Sequence, residues 1–400
     1  MDTQNTPVHI RLWHRDFWFL AVANLLLTMA VYMQYVSVSR WMVEMAVPPR
    51  MIGWAMGIYA VGLFVLGGFC SYLVQQYRRN KVCMRTMFCL AACLALPVFL
   101  IRVPGMDRGE MMVWVRGITG ALFGLAQMIL SSTLVIDTCE AHQRTEANYA
   151  ASWFGRFAIS LGPMMAMVLL PRIGFSETTW VAVGMTLAAL ILLSMARFPF
   201  RTPEDDVHLY SLDRFLLPEA WGLFFNLIIV TVVFGVILGL QRDNVMFFAF
   251  LMPGFLLAVL AEKVVFVNAE LKSETVTGLI LLAFAILLQL TGRETAPFTV
   301  PVLVGLGMGL IGSRFLLFFI KLSHHCQRGT SQSSFFLAWE AGIALGLGLA
   351  YGDVAEFLVS FTGPGTSQRA LLLTGLSLVA LALLMYVAFT HSWYMRHKNR

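Results

Sequence analysis

Apolar runs long enough to cross a bilayer follow one another along almost the whole chain. Twelve can be marked, over 17–38, 51–74, 84–101, 111–136, 147–170, 178–196, 219–240, 246–267, 275–291, 298–320, 331–351 and 370–390. About 20 apolar residues span the hydrocarbon layer as a helix, where every backbone polar group must find an internal partner. The polar turns between runs are short, so no sizeable soluble domain is expected. The pattern predicts an all-α integral membrane protein with twelve transmembrane helices. With an even count, both termini lie on one side of the membrane.

One stretch interrupts this pattern with charge. SSTLVIDTCEAHQRTEANYAASWFGRFAISLGP (131–163) ends one apolar run, carries Asp137, Glu140 and Arg144 in a short turn, and opens a second run containing Arg156. A charge inside an apolar span is costly and requires a partner or a water-filled cavity. The design returns in KLSHHCQRGTSQSSFFLAWEAGIALG (321–346). Sliding the chain by 184 residues places Gln143-Arg144 on Gln327-Arg328, Leu161-Gly162 on Leu345-Gly346 and Arg156 on Glu340. The repeat predicts two equivalent bundles, residues 1–196 and 219–400. The polar, proline-containing stretch 197–218 is then a cytoplasmic linker between them.

Composition agrees with a lipid solvent. Of 400 residues, 58% are hydrophobic and 12% charged, and mean hydropathy is +0.75; soluble chains carry about 25% charged residues. The first apolar run follows His9, Arg11, His14 and Arg15. It is too long for a signal-peptide core, so it reads as a retained helix. If the termini are cytoplasmic, most of the 28 Lys and Arg fall in or beside cytoplasmic segments, as the positive-inside rule requires. The net charge of +6 is therefore a topology signal, and no nucleic-acid partner is expected from it. Cys70, Cys89 and Cys93 lie within runs, and Cys83, Cys139 and Cys326 near the cytoplasmic side. The cluster His324-His325-Cys326 and the acidic run Glu204-Asp205-Asp206 hold metal-capable side chains, but neither spacing builds a tetrahedral site. No metal or cofactor is expected.

Further polar residues interrupt the runs. Asn24 in the first and Asn226 in the seventh either face a central cavity or bond helix to helix. Tyr32, Gln34 and Tyr35 follow Asn24 and either line that cavity or anchor the outer end. Arg116 sits in the fourth run, Glu262-Lys263 end the eighth, and Arg314 lies near the end of the tenth. Trp153, Phe154, Phe157, Phe335, Phe336 and Trp339 flank Arg156 and Glu340. No nucleophile elbow, phosphate loop or His-Glu-x-x-His motif occurs, so an enzyme is not expected.

The turn SYLVQQYRRNKVCMR (71–85) resembles a degenerate signature loop of the major facilitator superfamily, Gly-x-Leu-x-Asp-Arg-x-Gly-Arg-Arg. Leu73 and Arg79 are in place, while Gln75 stands at the acidic position and Arg78 at the inner glycine. The acid's role in gating therefore does not transfer to Gln75. Arg116-x-x-x-Gly120-x-x-x-Gly124 resembles the fourth-helix motif of the superfamily, in which the arginine is linked to proton coupling; the alternative is an arginine reaching the outer surface. Ala158-x-x-x-Gly162-Pro163-x-x-Ala166 resembles a loosened form of the antiporters' Gly-Pro motif. The resemblance covers essentially the full length. It implies the major facilitator fold, with two pseudo-symmetric six-helix bundles, a monomer, and transport by alternating access.

Arg156 and Glu340 each lie about nine residues into their helices, hence about 14 Å deep at 1.5 Å per residue, where transporter sites lie between repeats. They are expected to bind substrate and proton in turn, or to form a structural pair, with Glu262 as a rival partner for Arg156. The first expectation is proton-coupled export of a small amphipathic organic compound across the inner membrane of a bacterium. The alternatives are uptake of a small anionic solute through Arg156, or lipid translocation. The candidate coupling residues are Glu340, Arg116 and Glu262. The candidate substrate residues are Arg156, Asn24, Asn226, Gln34, Trp153, Phe157, Phe336, Trp339 and Arg314. Leu73, Arg78, Arg79, Gly162 and Pro163 are the candidate gating residues.

Overall fold

Helices begin and end where local chemistry allows. Asp107 accepts hydrogen bonds from the N–H groups of Gly109 (2.8 Å) and Glu110 (2.9 Å). Asn244 accepts from Phe247 N at 3.1 Å. Both satisfy donors left open at a helix start. Gly292, with φ of 62°, ends another helix in the left-handed conformation that glycine adopts freely.

The computed structural model describes residues 11–101, 103, 105–140, 142–198, 207–324, 327–362 and 366–398. Its helices are α1 (Arg15–Glu44), α2 (Pro49–Gln76), α3 (Arg79–Leu100) and α4 (Arg108–Asp137). A single run, Arg144–Met195, holds 52 residues, about 78 Å of helix and far more than a bilayer requires. Its backbone leaves helical geometry at Gly174 (φ 85°). We therefore divide it into α5 (144–173) and α6 (175–195). There follow α7 (Pro218–Leu240), α8 (Val245–Val264), α9 (Leu271–Thr291), α10 (Ala296–Leu322), α11 (Arg328–Tyr351), the short α12 (Val354–Thr362) and α13 (Ser367–His397). With α5 and α6 counted separately and α12 set aside, these are the twelve predicted spans in their predicted order.

Packing follows chain order. Within α1–α6, α1 lies along α5, and α2 and α3 pack on α4; within α7–α13, α7 packs on α11, and α8 and α9 on α10. Across the two sets, α2 meets α11 and α5 meets α8. The turns at 77–78, 138–140, 265–270 and 323–324 share one face with residues 207–217, here called the linker face. The connections around 45–48, Gly174, 241–244 and 352–353 form the far face.

Candidate functional site

Polar residues enter the helices at four-residue spacing, which stacks them on one face. Asn24, Thr28 and Tyr32 form such a row on α1, Gln127 and Ser131 on α4, Ser152 and Arg156 on α5, and Gln332, Phe336 and Glu340 on α11. The four rows converge on a central cavity of about 50 Å³, to which Phe335 and Trp339 add aromatic wall.

Arg156 is buried in this wall. Its Nη1 donates to Ser313 Oγ at 2.6 Å and to the Gly309 carbonyl at 3.4 Å, and Nη2 to Ser152 Oγ at 3.4 Å. The guanidinium lies 4.5 Å from the Trp153 ring centroid, 5.7 Å from Trp339 and 6.0 Å from Phe335. Its Nε has no hydrogen-bond partner among the described residues. Among them, no carboxylate lies within ion-pair distance of it either. Neither Glu340 nor Glu262 is its partner. A cation held by hydroxyls, a carbonyl and ring faces keeps its charge available to an incoming anion.

Glu340 stands at the other end of the cavity, and its partners are phenols. Tyr32 donates to its Oε1, and Tyr35 and Tyr59 donate to Oε2 at 3.5 Å each. Arg116 lies behind them, buried, 4.7 Å from the Tyr59 ring and 5.5 Å from Tyr35, with Nη1 donating to Gln34 Oε1 at 3.4 Å. Two aromatic rings thus lie between Arg116 and Glu340. Gln34 serves Arg116 and is not part of the cavity wall.

Between the two charges lies an amide network. Gln127 Nε2 donates to Asn24 Oδ1 and Thr28 Oγ1 at 2.7 Å each, and Asn24 Nδ2 to the Ala151 carbonyl at 3.0 Å. Gln332 Oε1 is buried without a partner among the described residues.

The remaining candidates sit elsewhere. Asn226 is buried between α7 and α13 and donates to the Ala382 carbonyl at 3.1 Å. It joins helices and does not line the cavity. Arg314 forms a buried ion pair with Glu274 of α9. Glu262 lies outside the cavity wall, beside Arg314 and Ser313, the hydroxyl that Arg156 binds. Trp153 stacks under Arg156, and Phe157 packs on Trp153 at 5.6 Å. The phenol Tyr59, the amides Gln127 and Gln332, and Glu274 were not singled out from sequence. A polar residue in register with Asn24 or Glu340 was the available signal for the amides. No comparable signal marks Tyr59.

Both ends of the cavity are narrowed. At the far face, a Cβ on Gly53 of α2 would stand 2.7 Å from Gly352 Cα and 2.9 Å from the Gly348 carbonyl, so only hydrogen fits. Ser39 donates to Tyr351 Oη at 3.1 Å, and Arg40 pairs with Asp243 at 3.5 Å. At the linker face, Arg79 pairs with Asp137 at 2.5 Å. Asp137, at the end of α4, supplies an acid that Gln75 does not. Arg78 is exposed and Leu73 packs on the core. Gly162 lets α5 approach Tyr32 Cβ and the Met29 carbonyl of α1, where an added Cβ would come within 2.9 Å of each, and Pro163 follows it inside the helix. Among the described residues, no group of three metal-capable side chains gathers. Glu204-Asp205-Asp206, His325 and Cys326 lie outside the described residues.

The sequence model described as Major Facilitator Superfamily matches residues 20–347. Three solved structures share the fold. The POT family transporter PepTSo is 10% identical, with a TM-score of 0.69, over 96% of this chain and 99% of that one. The human organic anion transporter MFSD10 (TETRAN) is 14% identical, with a TM-score of 0.66, over 93% and 98%. A bacterial homologue of the iron transporter ferroportin in its outward-facing state is 13% identical, with a TM-score of 0.65, over 97% and 100%. Comparison with curated protein sequences finds no match.

Proposed function

Because this chain belongs to the Major Facilitator Superfamily and is a multi-pass secondary transporter, we propose that it exports a small amphipathic organic anion in exchange for protons. One observation carries this reading: Arg156 faces the cavity without a carboxylate partner among the described residues, while a carboxylate waits at the opposite end. Arg156 holds the acidic group of the substrate, and Trp339, Phe335 and Phe336 cover its apolar part. Asn24, Gln127 and Gln332 orient it between them.

Glu340 is the proton site. Its acceptor oxygens belong to α11 and the phenols to α1 and α2, so its bonds tie residues 1–196 to 219–400. These are the two bundles that rock about the linker 197–218. An ionised Glu340 strengthens those bonds and holds the far end shut. Protonation removes the charge that the three phenols serve and weakens those bonds; for exchange, the anion arriving at Arg156 opens the ionised lock, and the proton taken up at the far face is carried back to the linker side. The cavity lies on the linker side of this lock. With the linker and both termini in the cytoplasm of a bacterium, it loads from inside the cell.

Uptake of the same anion with protons uses the same residues and differs in the sign of its pH dependence. Purified protein in liposomes, given labelled organic anions and cations under imposed pH gradients, tests both. The expected result is anion movement opposite to the proton gradient, lost in Arg156→Gln. Glu340→Gln should keep anion exchange and lose the response to the gradient. Equal transport of cations, or full gradient response in Glu340→Gln, refutes the reading.

A further inference from the structure

The repeat 184 residues apart has a consequence at the linker face. Arg144 opens α5 and Arg328 opens α11, and each follows a glutamine whose side chain does not cap its helix. These equivalent arginines line one second cavity of about 310 Å³ together with Arg79 and Arg214, and Asp137 is the acid in its described wall. Asp137 is engaged by Arg79. Arg214 is held in a left-handed backbone conformation, φ 58°, that residues other than glycine seldom adopt. Its N–H donates to Thr330 Oγ1 at 2.8 Å and its Nη1 to Thr133 Oγ1 at 3.1 Å, with Asp213 at 3.5 Å from Nε. Arg144 Nε is buried with no partner among the described residues.

We infer that this basin is an anion site distinct from the central cavity, and that it takes a phosphate-type dianion between Arg144, Arg214 and Arg328. The four guanidiniums of Arg79, Arg144, Arg214 and Arg328 exceed what Asp137 and Asp213 neutralise, and their planar forks match phosphate oxygens. Two long helices also begin here, and uncapped N-termini add backbone donors and favourable dipole ends. Arg144 precedes the central linker and Arg328 follows it, so a bridging dianion fastens α5 to α11. The basin neighbours the central cavity along α4 and α11, where Ser131 and Gln332 line the cavity and Ser132 and Thr330 the basin, and Gly329 lies against the Ser132 carbonyl, a Cβ there standing 2.8 Å from it. An occupied basin therefore holds that junction closed and slows transport.

The probe is inorganic pyrophosphate, tested by thermal unfolding of the detergent-purified chain against sodium chloride of equal ionic strength. Pyrophosphate should raise the unfolding temperature of the parent and of Arg156→Gln alike. Its apparent affinity should fall about tenfold in Arg144→Gln or Arg328→Gln, the size expected when one charge-assisted contact is lost, and recover in part in Arg328→Lys. A second arm replaces pyrophosphate with nanodiscs containing phosphatidic acid, compared with phosphatidylcholine alone. Stabilisation only in that arm, lost in Arg144→Gln, assigns the phosphate to a lipid headgroup. Stabilisation by neither probe overturns the site, as does stabilisation that survives the double Arg144→Gln, Arg328→Gln variant. Loss in Arg156→Gln alone transfers the binding to the central cavity and equally overturns it.

Discussion

A single methyl group at Gly53 should open the far face. The Cβ of Gly53→Ala would lie 2.7 Å from Gly352 Cα and 2.9 Å from the Gly348 carbonyl oxygen. Ordinary van der Waals contact lies at about 3.5–4.0 Å, so α2 and α11 must part by about 1 Å. The opposing atoms are backbone, and no side-chain rotation relieves them. Overpacking of this kind costs about 1–3 kcal/mol. It acts only on the conformation in which the two helices touch, so it shifts the balance toward the far-open form by about fivefold to 150-fold. Gly57, one turn on, is the control: its nearest neighbour would be Gly348 Cα at 3.9 Å, and alanine fits. Spin labels placed on Glu44 and Asp353 in a cysteine-free background would report the separation by pulsed electron resonance. Gly53→Ala should add a longer distance, and Gly57→Ala should leave the distribution unchanged. Identical distributions for both variants would refute the claim that glycine contact seals this end.

Four further outcomes follow from the buried polar groups. Tyr32→Phe removes a hydrogen bond to the Glu340 carboxylate; bonds to charged groups contribute about 1.5–3 kcal/mol, and the same spin-label pair should show more of the far-open form. Glu274→Gln removes the ion-pair partner of the partly buried Arg314, leaving Glu262 as the acid near it, and should lower stability by about 1–3 kcal/mol, read as a drop in unfolding temperature of the purified protein. Asn226→Ala loses one helix-to-helix bond, about 0.6 kcal/mol on average in a membrane, and should transport normally. Asn24→Ala removes one of the two bonds from Gln127 to α1, leaving the one to Thr28, and should impair transport at unchanged stability. Equal behaviour of the two asparagine variants would remove Asn24 from the site.

What the sequence by itself determined is the scaffold. Span length, hydropathy and short turns specify twelve helices in order, because a bilayer allows few other solutions for such runs. The 184-residue repeat also marked Arg156 and Glu340 as special, since charge inside an apolar run is visible without coordinates. Which groups those charges meet was decided by tertiary structure. Asn24 and Asn226 occupy matching positions in similar helices, yet one row faces the cavity and the other α13, and only the rotation of each helix in its bundle distinguishes them. Arg156 and Glu340 share a depth and opposite sign. The packing gives one to indoles and hydroxyls and the other to three phenols, Tyr59 among them, from helices that sequence distance does not connect. Arg144 and Arg328 lie 184 residues apart and line one basin because the two sets of helices meet there. Helix formation is local and reads from local pattern; the partners of a buried charge depend on long-range contacts that no single stretch of chain encodes.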